Sequence, residues 1–224
     1  MYITAVTSKQ KNTMSGLLDL LNSPAGKQLI GAVAGQTGQS ESQTGNVLSM
    51  AMPLLLGAMK KNVKSSPQEA EGLMNALSNK HNGSILDNLG GLFDGGVDDD
   101  VVQDGASILG HIFGNKQPQV ESTLSQKSGM DMGSIASILK IAAPIVMGVI
   151  GKQKAQNNVT DANQLNGLLG GMLGGQPDEN RSLITTLLDA DGDGSILDDV
   201  AGMVMGGGKS SGGLGGLLGS IFGK

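Results

Sequence analysis

A chain of 224 residues with 37 glycines, three Phe, one Tyr and no Trp must build its core from aliphatic side chains and closely approaching backbones, and it is too apolar for wholesale disorder. The absence of Cys removes disulfides, thiolate metal sites and cysteine nucleophiles. A net charge of -5 without stacking aromatics argues against a nucleic-acid surface.

Residues 1–13 carry lysines but no apolar stretch of signal-peptide length, and they read as a disordered extension ahead of a natural start at Met14. From there the apolar residues fall at three- and four-residue spacing without β-branched alternation, which predicts an all-α fold. Ser23-Pro24 and Ser66-Pro67 place an N-cap before a proline at the first helical position, and Glu69 stands where a capping box would use it. Gly38 and Gly129 are predicted to end helices, and Ser40 and Asp131 to cap the long central helices that follow. Pro53 and Pro144 fall inside those helices and should bend them, while Gly57 and Gly148 offer close packing one turn later. Asp98-Asp99-Asp100 reads as acidic residues at a helix N-terminus and not as a cation site. The apolar run Ile135 to Ile150 is shorter than the roughly 20 residues of a bilayer span, so it reads as a buried core helix, with no integral membrane span and a cytoplasmic location expected.

Self-similarity organises the chain. Thr37 to Lys61 recurs as Ser128 to Lys152, with Pro53 matching Pro144 and Gly57 matching Gly148. Gly83-Ser84-Ile85-Leu86-Asp87 returns as Gly194-Ser195-Ile196-Leu197-Asp198, and Gly110-His111-Ile112-Phe113-Gly114 returns as Gly219-Ser220-Ile221-Phe222-Gly223. The spacing is reconciled by Gln153 to Pro177 standing in place of Asn62 to Ser66. The expected architecture is an internally duplicated helical bundle with kinked central helices: a first repeat over 14–115, a second over 116–205, and a tail over 206–224 that joins a Gly-rich linker to a short helix.

One segment carries chemistry. In Asp189-Ala190-Asp191-Gly192-Asp193-Gly194-Ser195, Asp189, Asp191 and Asp193 occupy positions 1, 3 and 5 of a calcium loop. Gly194 supplies the sharp turn, and Ser195 offers its carbonyl. The bidentate Glu of position 12 is replaced by Val200, so Asp199 or Asp198 would have to close the shell, and calcium binding is expected to be weak. The competing reading is a solvated acidic turn. The matching stretch Ser78 to Asn88 keeps Gly-Ser-Ile-Leu-Asp without the carboxylates, so that turn has a structural use of its own. His81 and His111 have no neighbours at triad or zinc spacing and read as surface or turn residues, and no phosphate-binding loop is present. The chain therefore reads as a non-catalytic structural or interaction module, with self-association or an unidentified protein partner. The alternative is a peripheral membrane or envelope-associated protein that applies Leu214 to Phe222 to a lipid surface.

The opening Ser15-Gly16-Leu17-Leu18-Asp19-Leu20-Leu21-Asn22-Ser23-Pro24, the helix with Met52-Pro53-Leu54-Leu55-Leu56-Gly57-Ala58-Met59, the Gly83 to Asp87 turn and the Ile108 to Gly114 block together resemble the bacterial domain-of-unknown-function family 937 of YidB-like proteins. The resemblance covers most of the chain from Met14. It implies a small all-helical bacterial protein, and it carries no catalytic residues over to this sequence.

Overall fold

The computed structural model describes residues 21–89, 91, 97–174 and 177–188. Among them the regular structure is helical: α1 (Pro24–Thr37), α2 (Glu41–Ser65), α3 (Pro67–Asn79), a 3-10 turn (Ser84–Asn88), α4 (Asp99–Phe113), a second 3-10 turn (Gly114–Lys116), α5 (Gln117–Ser128), α6 (Met132–Gln156), α7 (Ala162–Leu173) and α8 (Asp178–Leu188).

The helix ends follow local chemistry. The Ser23 hydroxyl accepts from the Gly26 N–H at 3.1 Å, Ser40 from Gln43 at 3.2 Å and Asp131 from Ser134 at 2.9 Å. The Ser134 hydroxyl also donates to the Asp131 carboxylate, and these two bonds hold that carboxyl below its ordinary range. Gly38 and Gly129 end α1 and α5 in the left-handed region, at φ 68° and 72°. Ser66 caps α3 through the Glu69 N–H at 3.3 Å. The expected capping box does not close, because the Ser66 N–H already donates to the Asn62 carbonyl at the end of α2. Asp98 precedes α4 without a side-chain capping bond, so the contribution of Asp98, Asp99 and Asp100 is charge beside the helix dipole.

The central helices α2 and α6 are 25 residues each and stay helical through Pro53 and Pro144. Every residue over 51–60 and 141–151 is buried, as expected for helices that are apolar around most of their circumference. By length and composition α6 could cross a membrane, but most of its apolar window is buried inside this fold. The layers cross over. α4 and the first 3-10 turn pack on α6, whereas α7 and α8, which follow α6 in the chain, pack on α2. The two parts of the chain are therefore interlocked.

Each central proline lacks an N–H and so leaves the carbonyl four residues earlier without its helical donor. For Pro53 that carbonyl belongs to Ser49, and the Asn180 amide of α8 donates to it at 3.2 Å. For Pro144 it belongs to Lys140, and α4 lies directly against it: a Cβ added at Gly105 would stand 1.7 Å from the Lys140 oxygen. Only glycine permits that approach. The glycines one turn after the prolines are close-packing positions as expected. A Cβ on Gly57 would meet Ile184 and Leu188 of α8 at 3.0 and 3.1 Å, and one on Gly148 would meet Ile85 of the 3-10 turn at 2.5 Å.

These contacts separate glycines that packing requires from glycines it does not. Gly105→Ala forces α4 off α6 and should destabilise the fold by about 2 kcal/mol or more, in the range of overpacked core sites. Gly110→Ala, in open space on the same helix, should be neutral or stabilising by up to about 1 kcal/mol. Urea unfolding of both variants checks the contrast. Asn180→Leu should cost about 1 kcal/mol in the same assay, because it removes the donor of the partly buried Ser49 carbonyl.

Candidate functional site

Beside the α4 and α6 contact, α2, α3 and α4 enclose a cleft of about 440 Å³. Its walls are mostly aliphatic: Met59 and Val63 from α2, Leu73 and Ala76 from α3, and Ile108 and Ile112 from α4. α3 presents these positions because its apolar residues recur at helical spacing, with Ala70 and Leu77 turned into the core and Leu73 and Ala76 only partly covered. The rim is polar and includes Glu69, Lys80, Asp104 and both histidines.

The turn after α3 sets the rim's position. The Lys80 and His81 N–H groups both donate to the Ala76 carbonyl, at 3.0 and 2.8 Å, and end the helix. Gly83 then adopts φ 106° and tucks against Lys152, where a Cβ would stand 2.9 Å from the lysine Cβ. The Asn82 side chain accepts from the Ser84 N–H at 3.1 Å and closes the turn. Gly151 of α6 admits the His81 carbonyl, which would lie 1.8 Å from any Cβ at that position. This is the structural use of the Gly-Ser-Ile-Leu-Asp sequence: it wedges Ile85 and Leu86 onto α6.

His81 was expected at a surface or in a turn. It lies in the turn but is buried, at 6% exposure, because the turn is pressed onto α6 and α4 covers it. Lys80 pairs with Asp104 of α4 at 2.5 Å, and the His81 Nε2 stands 3.6 Å from the other oxygen of the same carboxylate. That separation is too long for a hydrogen bond, so the carboxylate does not orient the ring as it would in a general-base pair. Burial pushes the His81 pKa below its ordinary value, the Asp104 charge opposes this, and the Lys80 charge reinforces it. His111 sits on the exposed rim, one turn along α4 from Ser107.

The residues expected to bind calcium, Asp189, Asp191, Asp193, Ser195 and Asp199, lie outside the described residues, as do the linker and Leu214 to Phe222. α8 brings the chain to Leu188, immediately before Asp189. The Leu188 carbonyl accepts from the ammonium groups of Lys61 at 2.8 Å and Lys116 at 3.2 Å. Among the described residues no three His, Asp or Glu side chains form a group able to hold a metal ion.

The family model described as bacterial protein of unknown function (DUF937) matches residues 19–153 and 155–224. The chain belongs to that family. No curated protein and no solved structure matches it. Within this DUF937 protein, sequence reading missed the cleft altogether. Asp104 precedes the one glycine that α4 needs against Lys140, and that placement is what brings a carboxylate to His81. The only trace in the sequence is a glycine at the centre of an otherwise amphipathic helix.

His81 gives a pH dependence whose sign is fixed. Its folded-state pKa is lowered, so the unfolded chain binds the proton more readily, and stability is retained above about pH 6.5 and lost as the pH falls below it. The urea midpoint should drop between pH 7.5 and pH 5, and His81→Gln should flatten that drop.

Proposed function

We propose that this protein is a non-catalytic interaction module that receives a short apolar segment in the cleft between α2, α3 and α4. The observation that supports this most directly is the aliphatic cleft with a polar rim, the usual form of a site that takes an apolar anchor. Leu73, Ala76 and Ile112 are the partly covered aliphatic residues of the cleft, above a floor of buried Met59, Val63 and Ile108. The 3.6 Å gap between the His81 Nε2 and Asp104 leaves the ring without a carboxylate that orients it, which favours recognition over catalysis.

The test uses 8-anilinonaphthalene-1-sulfonate as an apolar probe and the methyl resonances of Leu73, Ile108 and Ile112 as reporters. Saturable perturbation confined to those methyls, and lost in Leu73→Lys, is the expected result. Perturbation scattered over the surface would overturn the reading.

The spacing of Asp189, Asp191 and Asp193 supports a second feature of the module, a weak calcium loop closed by Asp199. Calorimetric titration of the full chain should give heat with calcium chloride that disappears in the double variant Asp189→Ala/Asp191→Ala. No heat at millimolar calcium would remove calcium from the account.

A further inference from the structure

We infer that the cleft takes a basic segment of a partner protein, a helical stretch in which two apolar anchors are bracketed by Lys or Arg about two turns apart; the inference rests on the cleft being a site for an apolar segment. The charge of the walls carries the argument. α3 holds Glu69 and Glu71, α4 holds Asp99, Asp100 and Asp104, and neither helix contains Lys or Arg. Lys80, just past the end of α3, is the basic residue of the rim, and it is paired with Asp104. Lys64, in the last turn of α2, lies outside the cleft lining. Basic side chains of other elements reach elsewhere: Lys61 and Lys116 meet at the Leu188 carbonyl, and Lys152 stands 3.7 Å from Asp87. The rim therefore keeps the Glu69 charge uncompensated.

Glu69 is left in that state by the way α2 meets α3. The Ser66 N–H that it would cap is taken by the Asn62 carbonyl, so its carboxylate is not drawn back onto the helix end. The side chain is exposed and has no hydrogen bond or ion pair among the described residues. Asp104 marks the other end of the cleft. Asn62 donates to the His111 and Ile112 carbonyls, which sets the start of α3 beside the end of α4, whereas the Lys80 and Asp104 pair sets the end of α3 beside the middle of α4. The stretch of α4 from Asp104 to His111 rises about 10 Å. Leu73, Ala76 and Ile108 lie between these ends, so the cleft is an apolar patch with a carboxylate at each end.

A helix matches this layout when its own residues repeat with the same rise. Its first, fourth, fifth and eighth positions share one face, and the first and eighth are about 10 Å apart. Apolar side chains at the middle pair then enter the cleft, and basic side chains at the outer pair reach the two carboxylates. The stems of Lys and Arg also cover apolar wall while their charged ends stay in water. Asp100, one turn before Asp104 on the same face of α4, extends the negative edge and attracts the same kind of partner. An anionic lipid surface is the wrong complement, because these walls repel its head groups.

The test titrates the full chain with three synthetic peptides, acetylated and amidated. All carry Leu at the fourth and fifth positions on an Ala-Gln background, with Lys, Gln or Glu at the first and eighth. The methyl resonances of Leu73, Ile108 and Ile112 report occupancy. The expected result is saturable shifts confined to those methyls, with the Lys peptide binding about tenfold tighter than the Gln peptide at low ionic strength and the Glu peptide weakest. In about 0.5 M salt that advantage should shrink below about twofold. Glu69→Gln should weaken the Lys peptide about threefold, whereas Lys80→Gln, which bares Asp104, should strengthen it by a similar factor. Variants that leave the Lys preference unchanged overturn the inference, since the preference then comes from the overall charge of -5 and not from the cleft. Equal binding of the three peptides at these methyls, or tightest binding of the Glu peptide, overturns it and leaves the apolar reading standing. Shifts of the same methyls with phosphatidylglycerol vesicles and with no peptide overturn it in favour of a lipid surface. If neither peptides nor vesicles perturb these methyls, the reading of the cleft falls and the inference falls with it.

Discussion

A proline in the middle of a buried helix leaves one backbone carbonyl without its partner, and the fold is organised around two such groups. In water the loss would be slight, but inside a core an unpaired carbonyl costs about 1–3 kcal/mol, so something must cover it. The Ser49 oxygen accepts from a side-chain amide of α8, and the backbone of α4 at Gly105 lies against the Lys140 oxygen. These two contacts set α8 beside the proline of α2 and α4 beside the proline of α6. The crossing of α8 onto α2 and of α4 onto α6 follows from them, and so does the cleft that α4 bounds.

The same constraint explains a core with almost no aromatic side chains. Where backbones meet at glycine, there is little room for a ring, and Leu, Ile, Val, Met and Ala fill the remaining space. Gly105 and Gly151 admit carbonyl oxygens, whereas Gly57 and Gly148 admit the ends of aliphatic side chains. Glycine abundance in this chain therefore has specific geometric causes at these positions, and Gly110 or Gly167, in open space, shows that not every glycine shares them.

Much of the fold was legible in the sequence because its signals are local. Ser23, Ser40, Ser66 and Asp131 act on residues three positions away, Gly38 and Gly129 act through their own φ, and the apolar runs of α2 and α6 announce burial. The capping box at Glu69 failed for a reason that local reading cannot supply: the Ser66 N–H belongs to the end of the preceding helix. The cleft was not legible, since its walls come from three helices and its polar rim joins His81 to Asp104 across 23 positions of chain. Family membership agrees with the helical fold and leaves the chemistry to the structure.

The end of α8 has one more consequence. Its last described carbonyl is gripped by ammonium groups from two separate elements, Lys61 on α2 and Lys116 in the second 3-10 turn, at the point where a strongly acidic stretch begins. Attraction of this kind is screened by salt within about 8–10 Å at ordinary ionic strength. The anchorage of this helix end is thus partly ionic, while the rest of its length is held by aliphatic contact. A rise in ionic strength would loosen this end of α8 before it touched the core, making salt concentration a control on how firmly the last turn of the helix is held.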